Sequence, residues 1–168
     1  MSIELSRADV LRGRFIAIAE AARPPYAIPE QDFRGRCEPC GACRDACETR
    51  IIGQDAEGYP VLLFGQAGCS FCGACAAACP AGALSLEQAR AWTIAAHVKA
   101  SCLSFNAITC RACEESCKAG AIRFRLMTGG RALPLVDEEN CVGCGDCALI
   151  CPSQSIEMRS RNTEEVMA

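Results

Sequence analysis

The sequence predicts an α+β fold in which an N-terminal helical arm precedes two tandem modules of one design. Three observations predict it. Sixteen of the 168 residues are cysteine, the cysteines fall into four groups of nearly one spacing, and a pair of short apolar segments lies between groups one and two and again between groups three and four. Aromatic residues make up only 5% of the chain, so a core of Cys, Ala and Gly buries little apolar area. Small modules with thin cores need covalent or metal staples, and here the cysteines must supply them.

Residues 1–35 form the arm. Ser6 and Asp9 make a capping box, Leu11, Phe15, Ile18 and Ala22 share one helical face, and Pro24-Pro25 ends the helix. Residues 36–86 hold the first module. Within it, the turn residues from Asp55 to Gly58 lie between an apolar pair and the run Pro60-Val61-Leu62-Leu63, which reads as a hairpin. Residues 87–101 are expected to be a linker helix, started by a capping box of Ser85 and Gln88. Residues 102–158 hold the second module, where Gly129-Gly130 precedes Ala132-Leu133-Pro134-Leu135-Val136 in a second hairpin. Residues 159–168 are a polar tail that is expected to fray.

The four groups are Cys37, Cys40, Cys43 and Cys47; Cys69, Cys72, Cys75 and Cys79; Cys102, Cys110, Cys113 and Cys117; and Cys141, Cys144, Cys147 and Cys151. Groups one, two and four read C-x2-C-x2-C-x3-C, and group three reads C-x7-C-x2-C-x3-C. Three cysteines at intervals of three let one short loop wrap a cubane cluster and ligate three of its irons, while the fourth reaches the other cluster of a two-cluster module. The loop must come close and turn its N–H groups toward sulfur. Gly41-Ala42, Gly73-Ala74, and Gly143 with Gly145 permit that approach. Four zinc sites would use the same number of thiolates, but zinc draws on separated C-x2-C pairs, not on three cysteines in seven residues. The pattern therefore points to four [4Fe–4S] clusters.

Two partitions of these ligands are open. In the tandem one, Cys37, Cys40 and Cys43 join Cys79; Cys69, Cys72 and Cys75 join Cys47; Cys102, Cys110 and Cys113 join Cys151; and Cys141, Cys144 and Cys147 join Cys117. A nested pairing of group one with four and two with three is the alternative. Group three, lengthened by Leu103 to Thr109 and carrying Arg111 where the others have a small residue, is expected to hold its cluster more loosely or at a different potential.

The remaining features narrow the class. The N-terminus lacks a signal-peptide shape, which argues against export and against disulfides. Gly58 to Leu86 carry no charge, yet their cysteines, prolines and glycines read as a cluster-binding turn and not a membrane helix. The formal charge of −3 falls to roughly −11 once four clusters of charge 2− are added, which disfavours nucleic acid and favours basic protein surfaces. Without a phosphate loop, nucleophile motif or paired carboxylates, catalysis of bond-making by this chain is not expected, and no catalytic residue is assigned. His97 reads as a surface or packing residue and Trp92 as a wedge between modules. Arg7, Arg12, Arg14 and Arg23 form either a solvated face or a docking surface.

The arm from Arg7 to Phe15, Arg23-Pro24-Pro25-Tyr26, Gly58-Tyr59-Pro60, Cys69-Ser70-Phe71-Cys72, Ala91-Trp92, Cys102-Leu103 and Cys110-Arg111-Ala112-Cys113 resemble the NapF family, the ferredoxin-type proteins that accompany periplasmic nitrate reductase. The resemblance extends over nearly the whole chain, odd third group included. It implies two tandem bacterial-type two-[4Fe–4S] ferredoxin modules in a cytoplasmic protein. It also implies contact with the precursor of the nitrate reductase catalytic subunit, and a role in that subunit's maturation before export. An electron-carrier subunit passing electrons to a reductase is the alternative.

Overall fold

Local sequence explains most elements. The computed structural model describes residues 22–88, 92–128 and 131–161; the arm helix expected around Leu11, Phe15 and Ile18 lies outside them. Helix α1 (Glu30–Arg36) follows Pro29, with Glu30 and Asp32 in its first turn and Arg34 and Arg36 in its last, an order that complements the helix dipole. It buries Phe33 completely. Helices α2 (Ala42–Asp45), α3 (Ala74–Ala77), α4 (Ala112–Ser116) and α5 (Asp146–Ile150) each carry the third cysteine of one group. Three of these short helices begin after a glycine in the left-handed region, Gly41, Gly73 and Gly145 at φ 79°, 78° and 86°. A side chain would be strained there.

Both expected hairpins form. Strand β1 (Ile52–Gln54) pairs antiparallel with β2 (Pro60–Leu62), Ile52 opposite Leu62. Asp55 shapes the turn by accepting the N–H groups of Glu57 and Tyr59 at 3.0 and 2.9 Å. In the second half, β4 (Ile122–Leu126) pairs with β5 (Ala132–Val136), Ile122 opposite Val136.

The linker differs from expectation. Leu86–Gln88 make only a single 3₁₀ turn, and Ile94–Val98 form strand β3 in place of the expected helix. That strand pairs antiparallel with β6 (Ile156–Ser160), Ile94 opposite Ser160 and Val98 opposite Ile156. The pairing buries Ala95 and Ala96 against the second core, which a helix in the linker would leave uncovered. It also draws Arg159 and Ser160, expected in a fraying tail, into a sheet. The first half has a reduced counterpart: an isolated bridge joins Ala27 to Leu84, with Ile28 N–H on Ala83 O at 3.1 Å and Ser85 N–H on Tyr26 O at 2.7 Å. The second half is thus outer strand, cysteine group, hairpin, cysteine group, outer strand, and the first repeats that order with a single bridge in place of the outer strands.

The halves have separate cores. Tyr26, Ile28, Phe33, Ile51, Ile52, Leu62 and Leu84 fill the first with Cys43 and Cys75. The second is thinner: Ala95, Ala96, Ala121 and Ile122 pack with Cys113, Cys141 and Cys147. Cysteines occupy core volume that larger residues would otherwise fill, so both halves lean on their thiols for packing.

Arg23 packs against the first core and does not stand on an open surface patch. Its side chain, 9% exposed, pairs with Glu30 at 2.9 Å and Asp55 at 3.2 Å, and its guanidinium lies 5.0 Å from the Phe33 ring centroid. Burial opposes its charge, but the two carboxylates outweigh burial and raise its pKa above the ordinary value.

Candidate metal centres

The hairpins and short helices bring the sixteen cysteines together in fours, drawn each time from two groups. Cys37, Cys40 and Cys43 line one pocket with Cys79. Cys69, Cys72 and Cys75 line a second with Cys47. Cys102, Cys110 and Cys113 line a third with Cys151. Cys141, Cys144 and Cys147 neighbour Cys117, close enough for their charges to act on one another. These are the tandem sets; the nested pairing brings none of them about.

All sixteen thiols are free. Burial pushes those of Cys43, Cys75 and Cys113 up to about 11 and that of Cys147 up to about 12, helped by neighbouring cysteines. Such thiols ionise only when a cation arrives to balance them, so metal uptake and proton release are one event. Cys47 is opposite in sign: burial raises its pKa, but the Thr49 hydroxyl and the N–H groups of Ile51, Ile52 and Arg50 outweigh burial and lower it. Among the described residues no three His, Cys, Asp or Glu side chains converge closely enough to share one metal ion. The sulfurs of three of the sets line shared pockets instead, an arrangement that suits a multi-iron cluster. The residues fit the [4Fe–4S] group; when bound, each cluster supplies a one-electron couple.

Comparison with known proteins agrees. Residues 36–83 and 107–162 match the family described as 4Fe-4S dicluster domain. The chain is 39% identical over 156 residues to the ferredoxin-type protein NapF of Escherichia coli K12, covering 93% of this chain and 95% of that one. The chain belongs to the NapF family. It is also 35% identical to the Haemophilus influenzae NapF over 98% of this chain and the whole of that protein. The methylamine utilization ferredoxin-type protein MauM of Methylorubrum extorquens is 33% identical over 80% of this chain and 70% of its own length. With its two dicluster segments, the chain is an iron–sulfur protein of four [4Fe–4S] clusters.

The dicluster match in the second half begins beyond Cys102, and the structure shows how this NapF-family chain keeps that cysteine in place. The insertion folds into a 3₁₀ turn, Leu103–Asn106, closed by Ala107 at φ 61°. Ser104, 2% exposed, donates its hydroxyl to Cys110 O at 2.7 Å. Asn106 donates to the carbonyls of Ala100 and Cys102 at 3.2 and 2.8 Å. Arg111, at φ −134° where the other groups place a left-handed glycine, pairs with Glu114 and lies over Phe124. The insertion is thus tied by side-chain hydrogen bonds of its own.

The halves of this NapF-family chain meet through groups two and four. Cys69 N–H donates to Cys144 O at 2.7 Å. A Cβ on Gly68 would lie 1.8 Å from Asp146 Oδ1, one on Gly145 2.5 Å from the Phe64 ring, and one on Gly143 2.5 Å from Ile94 O and 2.9 Å from Trp92 Nε1. Trp92, whose ring centroid is 5.1 Å from that of Phe71, is the wedge at this seam; its Nε1 is buried without a hydrogen-bond partner among the described residues. Inside the halves, Cys43 and Cys75 feel each other's charge, as do Cys113 and Cys147. In space the groups therefore run one, two, four, three. His97 faces outward on β3 opposite Glu157. No helix of the described residues is long and apolar enough to cross a membrane.

Proposed function

We propose that this chain is a cytoplasmic accessory protein that binds the precursor of the periplasmic nitrate reductase catalytic subunit and assists its maturation before export. The cluster ligands follow the tandem partition: Cys37, Cys40, Cys43 and Cys79; Cys47, Cys69, Cys72 and Cys75; Cys102, Cys110, Cys113 and Cys151; Cys117, Cys141, Cys144 and Cys147. The 39% identity to the ferredoxin-type protein NapF of Escherichia coli K12 over 93% of this chain carries the reading. The family resemblance supplies the partner's identity. The residues do three things here: the loops bind, their glycines bring backbone N–H groups close to sulfur, and the cores keep water from the buried thiolates.

A second reading, an electron-carrier subunit, is favoured by the seam at Cys69 and Cys144, which puts all four groups in one continuous series. Anaerobic binding measurements separate the two. Preference for the precursor over the mature nitrate reductase subunit is expected of the accessory protein. Equal or no affinity for both, with rapid reversible reduction coupled to reductase turnover, would make it the carrier.

A further inference from the structure

Each group ends in a cysteine that is followed, two residues on, by Thr49, Ala81, Ala119 or Ser153. Two of these positions have a hydroxyl and two have none. The structure gives that difference a geometry. Thr49 Oγ1 lies 3.6 Å from Cys47 Sγ, and Ser153 Oγ lies 3.7 Å from Cys151 Sγ. In a free thiol either atom could donate. A thiolate on iron has no proton, so in the loaded protein the hydroxyl must be the donor. Backbone donors do not make the distinction: Ser155 N–H reaches Cys151 Sγ at 3.2 Å, and Ala121 N–H reaches Cys117 Sγ at 3.3 Å in a group that has no hydroxyl.

The Ser153 hydroxyl is also held in a row. Its oxygen is 2.8 Å from Ser155 Oγ, which is 2.9 Å from Ser101 Oγ, and Ser155 is fully buried. A hydroxyl in such a row is oriented by its neighbours and polarised by them. A donor to sulfur stabilises the more negative, reduced state of a cluster and so raises its reduction potential.

We infer that Thr49 and Ser153 raise the reduction potentials of two of the four clusters, those sharing Cys47 and Cys151, an effect that Ala81 and Ala119 cannot supply to the two sharing Cys79 and Cys117. This rests on the tandem ligand sets proposed above. In the series one, two, four, three, the raised positions are the second and the last, so each half contains one raised and one unraised site.

The test is an anaerobic redox titration followed by EPR on the full chain and on Thr49→Val, Thr49→Ser, Ser153→Ala and the double variant Thr49→Val/Ser153→Ala, with iron and sulfide measured on each. One couple is expected to move to lower potential in Thr49→Val, a different one in Ser153→Ala, and both in the double variant. Thr49→Ser is expected to restore the first, with cluster content unchanged throughout. Fully loaded variants whose couples stay where they are would overturn the inference. The two sites are independent, so loss of clusters in one variant leaves the other to decide. The couple moved by Thr49→Val must also be the one missing from a Cys72→Ala chain; if it persists there, the assignment through Cys47 is overturned. Zinc in place of iron and sulfide in the unaltered chain would instead overturn the reading of the sites themselves, before any potential is measured.

Discussion

The backbone N–H of Cys69 donates to the carbonyl of Cys144 at 2.7 Å, and this one bond joins the binding loops of the two halves. It lies among glycines that leave no room for a side chain. Gly143 is at φ +73°, and a Cβ there would press on the backbone oxygen of Ile94, which cannot swing away. Gly68 would meet the end of the Asp146 side chain, which can. Gly143→Ala is therefore expected to destabilise the protein by about 2 kcal/mol or more, and Gly68→Ala by less. Anaerobic urea unfolding measures both, and equal costs would contradict this account of the seam.

Ligand sets can be read by subtraction. Cys79→Ala is expected to remove the same EPR signal as Cys40→Ala, and each to lower iron from about sixteen to about twelve per chain. Loss in Cys79→Ala of the signal that Cys72→Ala removes would reverse the partition within the first half.

Arg23 and Asp55 form a largely covered pair at the edge of the first core, with side chains 9% and 11% exposed. Arg23→Ala leaves Asp55 without its cation and is expected to cost about 3 kcal/mol; the exposed Glu30 contributes little. Burial works against the Asp55 charge, but the Tyr59 N–H, the Arg23 side chain and the Glu57 N–H together hold its carboxyl below the ordinary range. A carboxyl that titrates lower when folded stabilises the fold fully above the ordinary carboxylate range, and loses that effect as pH falls through the folded value. Asp55→Asn should accordingly be less stable than the native chain at neutral pH, with the gap closing on acidification. A gap that stays constant down to about pH 3 would rule out this linkage.

The third group offers a contrast between loop length and loop order. Ser104→Ala removes a buried donor to Cys110 O and is expected to cost about 1 kcal/mol. Under mild chelation the native chain should lose its four clusters at similar rates, whereas Ser104→Ala should lose one early. Early loss of one cluster from the native chain would show that the hydrogen bonds of Ser104 and Asn106 do not compensate for the insertion.

The parts of the fold legible in the sequence were those with a local signal. Cysteine spacing marked the binding loops, and the turn residues around Asp55 and Gly129 marked the hairpins. Strand β3 was not legible. Ile94-Ala95-Ala96-His97-Val98 follows a helix-like start at Ser85, and two alanines carry no strand preference. Its partner Ile156–Ser160 lies far along the chain, and a non-local pairing leaves no mark in either segment alone. The surroundings of Arg23 are hidden for a related reason: an arginine reads as surface until Asp55, 32 residues on, and the Phe33 ring are seen beside it. The hydroxyls of Thr49 and Ser153 were visible as letters, but only the fold showed them turned toward sulfur.

The pairing of β3 with β6 has an evolutionary side. Because the first and last strands of a half lie next to each other, the chain enters and leaves that half at the same edge. A unit built this way can be copied end to end without rethreading its interior, each copy adding a finished pair of sites. The bridge at Ala27 and Leu84 brings the entry and exit of the first half side by side in the same way, over a single residue pair.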